Sequence, residues 1–287
     1  MKNFKIKSYC KINLTLKVLK KSNSGYHNII SLITFCDLHD VISISKAKRR
    51  KDKIVFSGKF SKGINKNSNT ITKLLTLLRR RRLIDKEKFK INVKKNIPQG
   101  AGLGGGSSNA ANLLNYLNSK MELKLKKNKI IQIAKKIGFD VPIILEKKNT
   151  FLTGKKNEIL RFRNKLRFNV LIVYPNLICS TKRIYAKNRK ISLYRKKFPF
   201  NINNKKKLIY FLKNEHNDLE KTVVRIYPRV KKIIDLIKSQ KGCYFSRITG
   251  SGSACIGIFS NMKKAVYAKR LIKTKYPKYW CVVSKTI

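Results

Sequence analysis

Between residues 98 and 108 the chain reads PQGAGLGGGSS, a run in which Gly100, Gly102, Gly104, Gly105 and Gly106 leave the backbone almost bare. Glycine loses more conformational freedom on folding than any other residue, so a plain connection carries few of them. The flanks show what this run joins. On its N-terminal side FKINVKK (89–95) alternates with the period of a strand, and on its C-terminal side SSNAANLLNYLNSKM sets Ala110, Leu113, Leu114 and Leu117 on one helical face. Strand, bare loop and helix in that order let backbone N–H groups and the positive end of a helix surround a phosphate. Ser107 or Ser108 is the expected N-cap of the helix.

Three phosphate-binding patterns compete for the run. Gly100, Gly102 and Gly105 satisfy G-x-G-x-x-G. A dinucleotide-binding unit, however, returns from its helix directly into a parallel strand. Here a second helical pattern follows instead, NKIIQIAKKIG (128–138), with Gly138 in the C-terminal position. The Walker pattern fails because no Gly-Lys-Ser/Thr closes the loop, and the glycine loop of a protein kinase is not followed at once by a helix.

The rest of the chain alternates strand and helix periods. Phe4, Ile6, Ile12, Leu14, Leu16 and Val18 point one way along a strand pair or one bent strand, and VISIS (41–45) and KIVFSG (53–58) read as further strands. Ile71, Leu74, Leu75 and Leu78 give SNTITKLLTLLRRRR (68–82) a helical face, and FDVPIIL is expected to be extended before Pro142. The second half opens with a strand, FNVLIVYP (168–175), and a polar, Lys-rich stretch to about 207. Helical patterns follow at NKKKLIYFLKNEHNDLEKTV and YPRVKKIIDLIKSQ. GCYFSRITGSGSACIGIFSN then reads as two strands around a second glycine turn, before the helix MKKAVYAKRLIKTKY and a last strand. These patterns place a domain boundary near residue 160, giving domains at 1–160 and 161–287.

Charge is the other conspicuous property. With 69 Lys and Arg against 13 Asp and Glu, the 287 residues carry a formal +56. A polyanion partner is one explanation, compositional drift toward lysine the other. The runs RRRR (79–82) and KAKRRKDK (46–53) lie between ordinary periodic segments rather than in a tail or on one face, so no specific nucleic-acid partner is expected. Cysteines 10, 36, 179, 243, 255 and 281 form no CxxC pair and suggest neither zinc nor a disulfide framework. MKNFKIKSYCKINLTLKV lacks a long apolar run, and no stretch approaches the ~20 apolar residues of a membrane span. A soluble, cytoplasmic protein without membrane partners is expected.

The loop P-x-G-A-G-L-G-G-G-S-S resembles the phosphate-binding signature of the GHMP kinases, the galactose, homoserine, mevalonate and phosphomevalonate group. CKINL (10–14), SGYHNI (24–29), GFDVP (138–142) and RITGSGSACIGIF (247–259) are similar to the family's Lys-x-Asn strand, Gly-Tyr-His substrate loop, Gly-x-Asp-Val-Pro turn and third glycine motif, in the family's order. The resemblance implies an α+β, two-domain GHMP kinase fold: an N-terminal ribosomal-protein-S5-domain-2-like domain and a C-terminal ferredoxin-like α/β sandwich. It implies ATP and Mg2+, with the metal ligands left open, and places the ATP phosphates on Pro98, Gln99, Gly100, Ala101, Gly102, Leu103, Gly104, Gly105, Gly106, Ser107 and Ser108. By the same resemblance Asp140 is the base for the substrate hydroxyl and Lys11 its partner, while Asn13, Tyr26, His27, Tyr185, Thr249 and Gly250 contact the small-molecule substrate. The triple glycine followed by two serines and Asn109 looks most like the branch that phosphorylates the 2-hydroxyl of 4-diphosphocytidyl-2-C-methyl-D-erythritol, in non-mevalonate isoprenoid synthesis.

Overall fold

A computed structural model describes residues 4–21, 25, 27–48, 51–84, 87–121, 123–154, 158–162, 166–193 and 204–287. The chain begins with strands β1 (Phe4–Asn13), β2 (Lys17–Lys21), β3 (His27–Lys46) and β4 (Lys53–Ser57). Helix α1 (Thr70–Arg80), strand β5 (Phe89–Lys94) and helices α2 (Gly105–Lys120), α3 (Lys127–Ile137) and α4 (Val141–Ile144) follow. Then come β6 (Asn149–Thr153), β7 (Ile159–Phe162), β8 (Asn169–Tyr174) and helices α5 (Thr181–Lys187), α6 (Lys205–Asn214), α7 (Glu220–Ile226) and α8 (Arg229–Lys238). The chain ends with β9 (Cys243–Ile248), β10 (Cys255–Phe259), α9 (Met262–Lys275) and β11 (Trp280–Lys285).

These elements cluster into two compact units that are discontinuous in sequence. The first takes residues 1–11, 38–99 and 104–147, and the second residues 12–37, 100–103 and 148–287. In the first unit β4 pairs parallel with β5, and β5 pairs antiparallel with the later half of β3, from Val41 opposite Lys94 to Lys46 opposite Phe89. Helix α1 begins because Asn69 accepts hydrogen bonds from the amides of Ile71 and Thr72, and it buries Ile71, Leu74, Leu75 and Leu78. Helix α2 buries Ala110, Leu113, Leu114 and Leu117, the face read from the sequence, and contacts α1, α3 and α4.

In the second unit the earlier half of β3 pairs antiparallel with β2 and with β6, which in turn pairs with β7. A separate four-stranded antiparallel sheet has the order β11-β8-β10-β9. Two helices pack on it, burying Ile233 and Ile237 of α8 and Ala265 and Ile272 of α9 with Leu171, Val173 and Phe259 of the strands. Strand, helices, two strands, helix and strand wound in that spatial order form the expected ferredoxin-like sandwich.

Four local expectations need correction. Neither Ser107 nor Ser108 caps α2: the cap is Gly104, in the left-handed region at φ +68°, and both serines lie inside the first turn. FDVPIIL is not extended before Pro142, because Val141–Ile144 is a short helix with the proline in its first turn, where a missing N–H costs nothing and all four side chains are buried. The helical pattern over 204–223 breaks at Glu215–Leu219 into α6 and α7. VISIS is the end of a 20-residue strand, not a strand of its own.

Candidate active site

The glycine loop is anchored by its apolar residues. Ile97, Ala101 and Leu103 are buried, and the glycines between them take conformations other residues resist: φ is +59° at Gly100, +77° at Gly102 and +68° at Gly104. Its entry is fixed by Asp40, a fully buried carboxylate in the later half of β3. One oxygen accepts the amides of Asn96 (2.7 Å) and Ile97 (2.9 Å), and the other accepts the ammonium of Lys95. Burial pulls the Lys95 pKa below its ordinary value, and the adjoining Asp40 carboxylate opposes that pull.

In the first unit the start of α2 meets the two residues expected to carry the chemistry. Lys11 Nζ lies 3.3 Å from Asp140 Oδ2; the lysine side chain is 6% exposed and the aspartate 31%. Lys11 stands on β1, and Asp140 occupies the turn between α3 and α4, where its carbonyl accepts the amide of Ile144. Gly104 lets them meet the helix, since a Cβ at that position would stand 2.8 Å from Cγ of Lys11. Ser108 is buried, and its hydroxyl donates to the Tyr9 carbonyl (2.6 Å) while accepting from Ser8 (3.0 Å), fastening the first turn of α2 to β1 two residues before Lys11. That hydroxyl is therefore committed inside the protein. Gly106 is exposed and Ser107 half-exposed at the same helix end, and a Cβ on Gly106 would meet nothing closer than 3.5 Å. Gln99, by contrast, is a structural clasp whose side chain donates to the carbonyls of Phe60 and Lys62, and Pro98 is buried.

The second unit holds the other part of the loop. Backbone passes so closely there that a Cβ on Gly102 would lie 2.0 Å from the Thr249 carbonyl oxygen, and one on Gly250 would lie 2.8 Å from the Gly102 carbonyl oxygen. The Ala254 amide donates to Ala101 (3.2 Å), the Asn13 amide to the Thr249 hydroxyl (2.9 Å) and the Asn217 side chain to the Gly250 carbonyl (2.8 Å). The glycines of 100–104 are thus required by their own neighbours. Asn13 is buried, with its side-chain amide donating to Ser31. His27 and Tyr185 are brought together, ring centroids 5.8 Å apart. His27 Nδ1 lies 2.8 Å from the Leu19 carbonyl, which can only accept, so in the neutral ring Nδ1 carries the proton and Nε2 is left as an acceptor. Tyr26 lies outside the described residues.

Comparison with known proteins gives these features a common origin. Residues 69–148 match the GHMP kinases N-terminal domain and residues 204–277 the GHMP kinases C-terminal domain. A protein of Pelagibacter ubique named 4-diphosphocytidyl-2-C-methyl-D-erythritol kinase is 44% identical over 289 residues, covering 100% of both chains. The chain belongs to the GHMP kinases. A Wolbachia pipientis protein of the same name is 34% identical over 98% of this chain and 97% of its own. Among solved structures, a 4-(cytidine 5'-diphospho)-2C-methyl-D-erythritol kinase superposes with a TM-score of 0.77 at 21% identity, each chain 99% covered. A mevalonate kinase superposes at 0.68 with 18% identity over 99% of both chains.

This GHMP kinase also uses residues that sequence reasoning missed. Asp40, Lys95 and Asn217 shape the two glycine turns from buried positions. Asp40 had one available signal: a carboxylate ahead of an apolar strand is conspicuous in a chain with only 13 acidic residues. The cysteines are free, and burial pushes the thiols of Cys179, Cys243 and Cys281 up to about 11, away from nucleophilic character. Among the described residues no group of three or more His, Cys, Asp or Glu side chains could hold a metal ion, and no helix is long and apolar enough to cross a membrane.

Proposed function

We propose that this kinase moves the γ-phosphoryl group of ATP to the 2-hydroxyl of 4-diphosphocytidyl-2-C-methyl-D-erythritol, within the cytoplasm, as part of isoprenoid synthesis by the non-mevalonate route. The observation that carries the reading is the Lys11–Asp140 pair at the start of α2, in a chain 44% identical along its whole length to a kinase of that name. The residues present suit a nucleotide. The N-terminus of α2 has no side-chain cap and no acidic residue in its first turn, so nothing there competes with or repels a phosphate. Amides of residues 105–107 and the hydroxyl of Ser107 would hold the ATP phosphates.

Bound there, ATP supplies the phosphoryl group, and a magnesium ion brought on its phosphates spreads their charge. Asp140, with its carboxylate part-exposed, takes the proton of the attacking hydroxyl. Lys11, buried beside it, neutralises negative charge that gathers during transfer and holds the carboxylate in one direction. Nε2 of His27 is an acceptor suited to the exocyclic amine of cytosine, and the Tyr185 ring adds a face for the base, with Tyr26 assigned to the same substrate by motif alone. Asn13, Thr249 and Gly250 shape the substrate side through backbone and buried side chains. The two family segments and a boundary near residue 160 describe its functional domains.

A coupled ADP-release assay tests the assignment with the cytidylyl compound, mevalonate and homoserine side by side. Turnover confined to the cytidylyl compound is expected. Faster turnover of either other alcohol overturns the substrate.

A further inference from the structure

A second concave site, separate from the residues above, lies between α5 and α7 in the second unit. It is a cleft of about 650 Å³ lined by Arg183, Ala186, Lys187, Arg189, Arg225 and Ile226. Four of its six lining residues are cationic and none is acidic. Among the described residues, none of the four cations forms an ion pair. Arg225 is instead held by a hydrogen bond to the Lys187 carbonyl (3.0 Å), and Thr222 bonds to Asn188 (3.1 Å), joining α7 to the end of α5. Lys187 and Arg225 sit in the last turns of their helices, where the helix dipole alone favours a cation. Arg189, just past the cap of α5, shares that preference, whereas Arg183, in the first turn of the same helix, does not. Tyr185, which faces His27, stands about 200° around the helix from Arg183 and Lys187 and does not line the cleft.

We propose that this cleft is a second binding site, for a small anion carrying two or more phosphate groups. Three guanidinium groups offer planar, paired donors that match phosphate oxygens, and the volume is that of a small-molecule site rather than a track for a polymer. Ala186 and Ile226 add an apolar patch for the organic part of a phosphate ester. Charge gathered on a surface this basic has to be separated from net charge in general.

The test is calorimetric titration of inorganic pyrophosphate into the full chain at physiological salt, with a nonhydrolysable ATP analogue saturating the kinase site. Three proteins are compared: the parent, R183Q/R189Q/R225Q, and K263Q/R270Q/K275Q, which loses the same charge from exposed positions on α9. Saturable binding is expected in the parent and the α9 variant. In the cleft variant it should weaken at least about tenfold, the size of one or more lost charge-assisted contacts, with kcat unchanged. A nucleoside diphosphate titrated in parallel distinguishes an organic ligand from an inorganic one, and saturable binding of either supports the site only where the cleft variant weakens it and the α9 variant does not. Equal losses in both variants, no saturation of the parent by either ligand, or cleft-dependent binding of an RNA oligonucleotide without binding of either ligand would each overturn it.

Discussion

Two lysine–aspartate pairs flank the start of α2, and they are built alike from opposite intentions. Lys11 runs beneath Gly104 to reach Asp140, and Lys95 lies beneath Gly105 to reach Asp40. Asp40 is fully buried and accepts two backbone amides besides its lysine, so its hydrogen-bonding capacity is spent on holding the chain before the loop. Asp140 is 31% exposed, and among the described residues its carboxylate is paired with Lys11 alone. Identical chemistry becomes scaffold or reagent according to how much of the carboxylate its surroundings consume. Asp218 extends the contrast in the second unit: burial pushes its pKa up, but the Val18 amide, the Ser192 hydroxyl and Lys190 outweigh that and hold it below its ordinary value. It too is scaffold.

Substitutions can break this comparison, starting with the largest expected effect. Asp140→Asn should lower kcat by about a hundredfold to ten-thousandfold, the usual range for losing a general base, with a far smaller shift in unfolding midpoint. Near-parent turnover in the ADP-release assay would remove Asp140 from its role. Asp40→Asn should do the reverse, costing about 3 kcal/mol of stability in denaturant unfolding because a buried cation loses its partner. If the two variants lose stability equally, the distinction between them fails.

Gly104→Ala sharpens the comparison at the joint between helix and lysine. The new Cβ must adopt a left-handed conformation, at about 1–2 kcal/mol, and push against the Lys11 stem. We expect a fall in kcat of roughly tenfold together with that loss of stability; a stable, fully active variant would show that Lys11 needs no fixed path. The smallest effect is expected at His216, whose pKa is pulled below its ordinary value by burial and by Lys190, with Asp218 opposing. Because the folded state binds the proton less readily than the unfolded chain, stability falls as pH drops from 6.5 toward that lower value and levels off below it. His216→Asn should flatten the unfolding midpoint across that window, and an unaltered pH profile would contradict it.

The glycine run, the helix after it and the face that helix buries were legible because they rest on short-range rules: backbone freedom and a period of 3.6 residues. Lys11 and Asp140 were legible only through motif resemblance, since nothing in local pattern singles out one lysine among so many. Other features were hidden because they are decided by distant partners. Ser107 and Ser108 satisfy every local rule for a cap, yet Gly104 takes that place and Ser108 turns inward to Tyr9, about a hundred residues away in sequence, because β1 offers its hydroxyl a buried acceptor. The short helix at Val141 is hidden in the sequence because a proline suits the first turn of a helix as readily as an extended segment, and only burial of all four residues chooses between them.

By itself, then, the sequence determined the strand, loop and helix around the glycine run, the longer helices and strands of the second half, the places where backbone must be bare, and the family to which the chain belongs, but not β6, β7, α4 or α5. Tertiary structure alone decided why the loop glycines are needed, which carboxylate is consumed by scaffold and which stays open, and where cations converge without a counter-charge among the described residues. The reason is physical: propensity and periodicity act over a few residues, whereas desolvation and hydrogen-bond satisfaction depend on atoms that only folding brings within reach.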